Sequence, residues 1–129
     1  MSDPKHILLV DDDRELVNTN RAILESNGYK VSAAYGGAEA IEAAKSGKPD
    51  LIILDVMMDS ETEGFDVNSK LRDIPELKDT PVIMLTGINV ETDHPYRFDV
   101  EQGWPCVAFL EKPVLPETLL AKVKEYAGR

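Results

Sequence analysis

Asp11, Asp12, Asp55, Thr86 and Lys112 are the residues through which this chain could do chemistry. Each stands at or just past the end of a short apolar run. Ile7-Leu8-Leu9-Val10 leads into Asp11-Asp12-Asp13, Leu51-Ile52-Ile53-Leu54 into Asp55, Val82-Ile83-Met84-Leu85 into Thr86, and Val107-Ala108-Phe109-Leu110 into Glu111-Lys112. Carboxylates gathered at one point repel each other unless a cation neutralises them. A hard divalent ion such as Mg²⁺ answers that need with a few carboxylates, waters and phosphate oxygens. Lys112 adds a positive charge for a phosphoryl oxygen, and Thr86 a hydroxyl donor. The combination suits phosphoryl transfer, in which the protein's work is positioning and charge neutralisation. Asp55 can then serve as the nucleophile, forming an aspartyl phosphate.

Something must bring these ends together. Apolar runs of four to eight residues without alternation suit strands buried on both faces, as in a parallel α/β sheet. Ligands of open α/β sheets bind just outside the carboxyl ends of the strands. Between the runs lie helical patterns. Asp13 caps a helix predicted over Arg14 to Asn27, with Leu16/Ile23 and Val17/Leu24 as its apolar stripe and Gly28 after its end. Tyr29 to Ala34 reads as a second strand with partial alternation. Gly36-Gly37 turns the chain into a helix over Ala38 to Ser46, with Ala40, Ile41 and Ala44 inward and Gly47 stopping it. An acidic loop from Asp59 to Gly64 precedes a helix over Phe65 to Ile74 that Pro75 ends. From Gly87 to Pro105 only a short helix over Tyr96 to Gln102 is predicted, because Asp93-His94-Pro95 breaks anything longer. A last helix starts at Pro116, a favoured first-turn residue, with Leu119, Leu120, Val123 and Tyr126 inward. Five β-α units in succession imply a doubly wound parallel sheet with helices on both faces, joined by right-handed crossovers. The 129 residues are expected to form a single domain, 1–129.

Composition narrows the function. A net charge of −10, with the 14 basic residues dispersed, argues against nucleic acid, which requires a cationic patch. No apolar run approaches the ~20 residues of a membrane helix, and the start of the chain runs straight into the first strand. Cys106 is the one cysteine, which excludes an internal disulfide and a thiolate-rich metal site and fits a reducing compartment. A cytoplasmic location is expected. His6 and His94 are expected at the surface, and Trp104 at a loop-strand junction.

In their order and spacing, Leu8-Leu9-Val10-Asp11-Asp12-Asp13, Asp50 to Met58, Val82 to Gly87 and Phe109-Leu110-Glu111-Lys112-Pro113 make the chain resemble a response-regulator receiver domain of two-component signalling. The resemblance covers almost the whole length. It implies a flavodoxin-like sheet of strand order 2-1-3-4-5, with Asp55 as phosphoacceptor. It also implies Mg²⁺ held by Asp11, Asp12, Asp55 and the backbone carbonyl of Met57, with Thr86 and Lys112 on the phosphoryl group. Phe109 matches the aromatic switch that turns inward when the threonine moves, and the Lys112-Pro113 bond would be cis. The phosphoryl source would be a sensor histidine kinase or a histidine phosphotransfer protein, and the output would pass to another protein. Such a domain is a phosphoacceptor that assists its own phosphorylation and dephosphorylation, not an enzyme. Met57 and Ile88, two residues beyond Asp55 and Thr86, flank the approach of a hydrolytic water. Both are apolar, so a long-lived phosphorylated state is expected. The chain departs from the family pattern in two places: Asp59 replaces the usual proline in a longer loop, and residues 87–111 exceed the usual spacing.

Other readings compete residue by residue. Asp12 and Asp13 could cap a helix, Thr86 could cap the next one, Lys112 could be a solvated lysine and Phe109 plain core. Among whole-chain rivals, an aspartyl-nucleophile phosphohydrolase of the haloacid dehalogenase type needs a second acid where Met57 stands. A flavin binder wants a Ser/Thr/Gly-rich phosphate loop where the three aspartates stand. A receiver-like scaffold that signals without phosphorylation should have lost an acid, the threonine or the lysine.

Overall fold

The computed structural model describes residues 4–55, 70–71, 73–77, 80–86, 108–111 and 114–127, and of Thr86, Ala108, Phe109 and Glu111 only the backbone. Its sheet is built from β1 (His6–Val10), β2 (Lys30–Ala34), β3 (Leu51–Asp55), β4 (Val82–Thr86) and β5 (Ala108–Glu111). Their order is β2-β1-β3-β4-β5, and every pairing is parallel. This is the predicted doubly wound, flavodoxin-like arrangement.

The unalternated runs have a direct cause. Successive strand residues point to opposite faces, and both faces are covered. Leu8, Val10, Ile52, Leu54, Val82 and Met84 join one core with Ala40 and Ala44 of α2 (Gly37–Gly47), Leu71 and Leu77. Ile7, Leu9, Leu51, Ile53, Ile83 and Leu85 join the other. That second core takes Val17 and Leu24 of α1 (Arg14–Ser26) and Leu119 and Val123 of α3 (Pro116–Ala127). Each fully buried leucine or isoleucine contributes about 1.5–3 kcal/mol, so β3 and the part of β1 after His6 are apolar until the core ends. Both stop on a carboxylate because the sheet's edge is the first place where one can be solvated or bind a ligand.

The caps follow the sequence with one exception. Asp13 accepts from the Leu16 N–H at 3.1 Å and starts α1 as expected. Gly28 leaves the helix with φ 91°, in the left-handed region that glycine tolerates. At the end of α2 the expectation fails: Gly47 remains helical, and Lys48 takes the left-handed conformation with φ 47°. The reason is a close approach. A Cβ on Gly47 would stand 2.9 Å from Cε1 of His6, so the missing side chain makes room for an imidazole and is not used to reverse the chain. His6 is accordingly not a surface residue but a buried one at the start of β1. Pro75 opens a short 3₁₀ turn, Pro75–Leu77, which buries Leu77. Of the predicted helix over Phe65 to Ile74, residues 70 and 71 are helical and 73 and 74 form a turn, and the rest lies outside the described residues. The acidic loop, the helix over Tyr96 to Gln102, His94, Trp104 and Cys106 lie outside the described residues. No helix among the described residues is long and apolar enough to cross a membrane.

Candidate functional site

The strand order carries the acids to one point. β1 and β3 are neighbours at the centre of the sheet, paired through Val10↔Leu54. One step further along the same register lie Asp11 and Asp55. Asp11 is still tied to the sheet, its N–H donating to the Ala34 carbonyl of β2 at 3.1 Å. Its Oδ1 accepts from the Asp13 N–H at 3.0 Å, which bends the chain from β1 into α1. Asp12 is therefore carried on the outside of that bend and is exposed, while Asp11 and Asp55 are 4% and 2% exposed. That difference suits one solvent-facing acid to an open coordination side.

Carboxylate oxygens of Asp11, Asp12 and Asp55 all lie within 4.8 Å of one another. Two ionised carboxylates at such a separation repel by roughly 3–4 kcal/mol at an effective dielectric of ~20. The donor set is all hard oxygen, mono-anionic and small in number. These are the preferences of Mg²⁺, which keeps several waters and is bound through a few carboxylates plus substrate phosphate. Asp11, Asp12 and Asp55 are thus the residues that would hold it. Of the competing cap readings, that of Asp13 is observed.

The remaining predicted residues are placed to different extents. Thr86 ends β4, one residue beyond Leu85, the register partner of Asp55. Its backbone is thereby at the same sheet edge, and it pairs with Glu111, the residue before Lys112. Phe109 pairs with Met84. Lys112, Pro113 and the bond between them, Met57 and Ile88 lie outside the described residues, as do the side chains of Thr86 and Phe109.

Two residues at this edge escaped the reading of the sequence. The Arg14 guanidinium lies over the ring of Tyr35, 3.9 Å from its centroid. Arg14 begins α1 immediately after the Asp13 cap, and Tyr35 follows Ala34, whose carbonyl holds Asp11. The signal available beforehand was electrostatic: a cation at a helix amino terminus opposes the helix dipole and needs a reason.

Comparison with known proteins agrees with this geometry. A sequence model described as the response regulator receiver domain matches residues 7–124. The polar-differentiation response regulator DivK of Brucella anthropi is 30% identical over 125 residues, covering 97% of this chain and 98% of that protein. A CheY-like response regulator receiver domain protein from Methanospirillum hungatei superposes with a TM-score of 0.84 at 27% identity, over 97% of this chain and 94% of that one. The chemotaxis protein CheY4 of Vibrio cholerae gives a TM-score of 0.84 at 31% identity, over 95% and 98%.

Proposed function

This chain belongs to the response regulator receiver domain family, and on that premise we propose that it is a phosphorylation-controlled switch whose phosphoacceptor is Asp55. The observation that carries the proposal is the convergence of Asp11, Asp12 and Asp55 within 4.8 Å at the carboxyl edge of the sheet. A phosphoryl group would arrive from the phosphohistidine of a sensor histidine kinase or a phosphotransfer protein. A carboxylate oxygen of Asp55 forms the new O–P bond as the N–P bond breaks, and the leaving imidazole retains the electron pair and takes a proton. Held at 2% exposure by β3, Asp55 presents its carboxylate in one place, which favours attack by removing the cost of orienting it. Asp11, Asp12, Asp55 and the Met57 carbonyl would hold Mg²⁺, which would supply the positive charge for a dianionic phosphoryl group to approach three carboxylates. Lys112 pairs with a phosphoryl oxygen, and the Thr86 hydroxyl donates to another.

Phosphorylation replaces the single negative charge of the Asp55 carboxylate with a phosphoryl group carrying about −1.5 to −2. Thr86 drawn toward that charge vacates space that Phe109 fills, and a pre-existing two-state equilibrium shifts. The surface offered to a downstream protein in the cytoplasm changes with it. In this reading the domain is a signalling module that assists its own phosphorylation and dephosphorylation.

The test is intact mass after incubation with Mg²⁺ and acetyl phosphate, beside Asp55→Asn. The expected result is a Mg²⁺-dependent gain of one phosphoryl by the wild type and none by the variant. No gain by a folded protein that binds Mg²⁺ would overturn the proposal in favour of a scaffold that signals without phosphorylation.

A further inference from the structure

Arg14 is a cation set beside an acidic site, yet no carboxylate among the described residues pairs with its guanidinium; the ring of Tyr35 holds it instead, at 3.9 Å. The placement is built. The backbone of Tyr35 is fixed by its N–H donating to Glu39 Oε1 at 2.6 Å and by its neighbour Ala34, whose carbonyl accepts from Asp11. The backbone of Arg14 is fixed by the Asp13 cap and by the turn that Asp11 Oδ1 closes. Stacking uses the face of a guanidinium, whereas its five N–H donors lie in the plane and point from its edge. An arginine stacked in this way is immobilised without its hydrogen bonds being used. Such an edge matches two oxygens of a phosphate.

The sheet order says where that edge belongs. β2, which leads into Tyr35, flanks β1 on one side, whereas Thr86 of β4 lies across β3 on the other. On the reading proposed above, Thr86 and Lys112 serve the phosphoryl group from the β4–β5 side, and the β2 side would otherwise be served by carboxylates alone. The amino terminus of the 13-residue helix α1 lies on that same side, and its dipole also favours an anion there.

We propose that Arg14, shelved on Tyr35, binds the incoming anionic phosphodonor at the β2 side of the site; the inference rests on Asp55 being the phosphoacceptor. Arg14 contacts the donor and neither gains nor loses a proton, and Tyr35 is a positioning residue. The role is in capture of the donor, so it sets the donor concentration required and leaves the bond-making step to Asp55.

The experiment follows phosphoryl uptake by intact mass against acetyl phosphate concentration at fixed Mg²⁺. The variants are Arg14→Gln, Arg14→Lys, Tyr35→Phe and Tyr35→Leu, with Lys45→Gln as an equal change of net charge at the last turn of α2. Arg14→Gln should raise the half-saturating donor concentration about two- to fivefold, the scale of one exposed charge pair. Its maximal rate and thermal midpoint should stay as in the wild type. Arg14→Lys should recover part of the loss, Tyr35→Phe should match the wild type, and Tyr35→Leu should fall between. Added salt should shrink the difference between Arg14→Gln and wild type. Uptake by Arg14→Gln with the same donor dependence as Lys45→Gln overturns the inference and leaves the phosphoacceptor reading standing. A lowered maximal rate with unchanged half-saturation also overturns it, in favour of a structural role. Absence of uptake by every protein, wild type included, removes both.

Discussion

At its amino end β1 carries His6, a buried polar side chain matched on every side, whereas at its carboxyl end it delivers Asp11 into a group of like charges. The His6 ring places Nδ1 3.1 Å from the Gly47 carbonyl and Nε2 2.7 Å from the Ser32 hydroxyl. A carbonyl only accepts, so Nδ1 carries the proton in this pairing. The His6 backbone N–H donates to Asp50 Oδ2 at 2.8 Å, and its carbonyl accepts from the Asp50 N–H at 2.7 Å. Three segments are thereby fastened by neutral and charge-assisted hydrogen bonds in which donor meets acceptor. At the other end, Asp11, Asp12 and Asp55 face each other as acceptors. Buried polar groups whose donors meet acceptors stabilise the protein, whereas like charges gathered at one point repel and mark a candidate site for a cation.

That contrast makes opposite demands of substitution at the two ends. Asp55→Asn should abolish phosphoryl uptake completely. In metal-free buffer the same change should raise the stability measured by urea denaturation, by on the order of 1–3 kcal/mol, because it removes a like charge. A loss of stability there would break the comparison. Next in size, Mg²⁺ at a hundredfold its dissociation constant should stabilise the wild type by about 2.7 kcal/mol, read as a rise in thermal midpoint. Asp11→Asn should abolish most of that rise. At the amino end the sign reverses. Gly47→Ala drives a Cβ to 2.9 Å from a ring that is bonded on both nitrogens, and it should destabilise by about 1–3 kcal/mol, leaving uptake by the folded protein intact. Ser32→Ala strips one partner from the imidazole and should cost about 1–2 kcal/mol in the same denaturation assay. Smallest is Asp13→Ala, about 1 kcal/mol. Asp13 sits beside the acids but acts as a helix cap, so its loss should leave the Mg²⁺ shift unchanged and sharpen the division.

The carboxyl end was far more legible in the sequence than the amino end. Asp11, Asp55 and Thr86 are each announced by the apolar run before them, a signal spanning five residues, and the Asp13 cap is read within four. His6 was misplaced at the surface because nothing near it in the chain reveals its partners. Ser32 and Gly47 are 26 and 41 residues away. Gly47 was read as a helix stop for the same reason, since its need for no side chain arises from a ring on another element. Asn20, buried at 6% exposure on α1 beside Val17 and Leu24, gave no local sign either. The stacking of Arg14 on Tyr35 joins the first turn of α1 to the segment after β2, which only the sheet brings side by side.

Four buried strands, each leading into a polar residue, were written in the sequence, because burial on two faces is written locally as an unbroken apolar run. Only the tertiary structure decided which ends meet. Placing β1 between β2 and β3 sets Asp11 against Asp55 and Arg14 against Tyr35, and it sets His6 against Ser32 and the last turn of α2. Strand order and register are properties of pairing between distant segments, which no window of the chain contains.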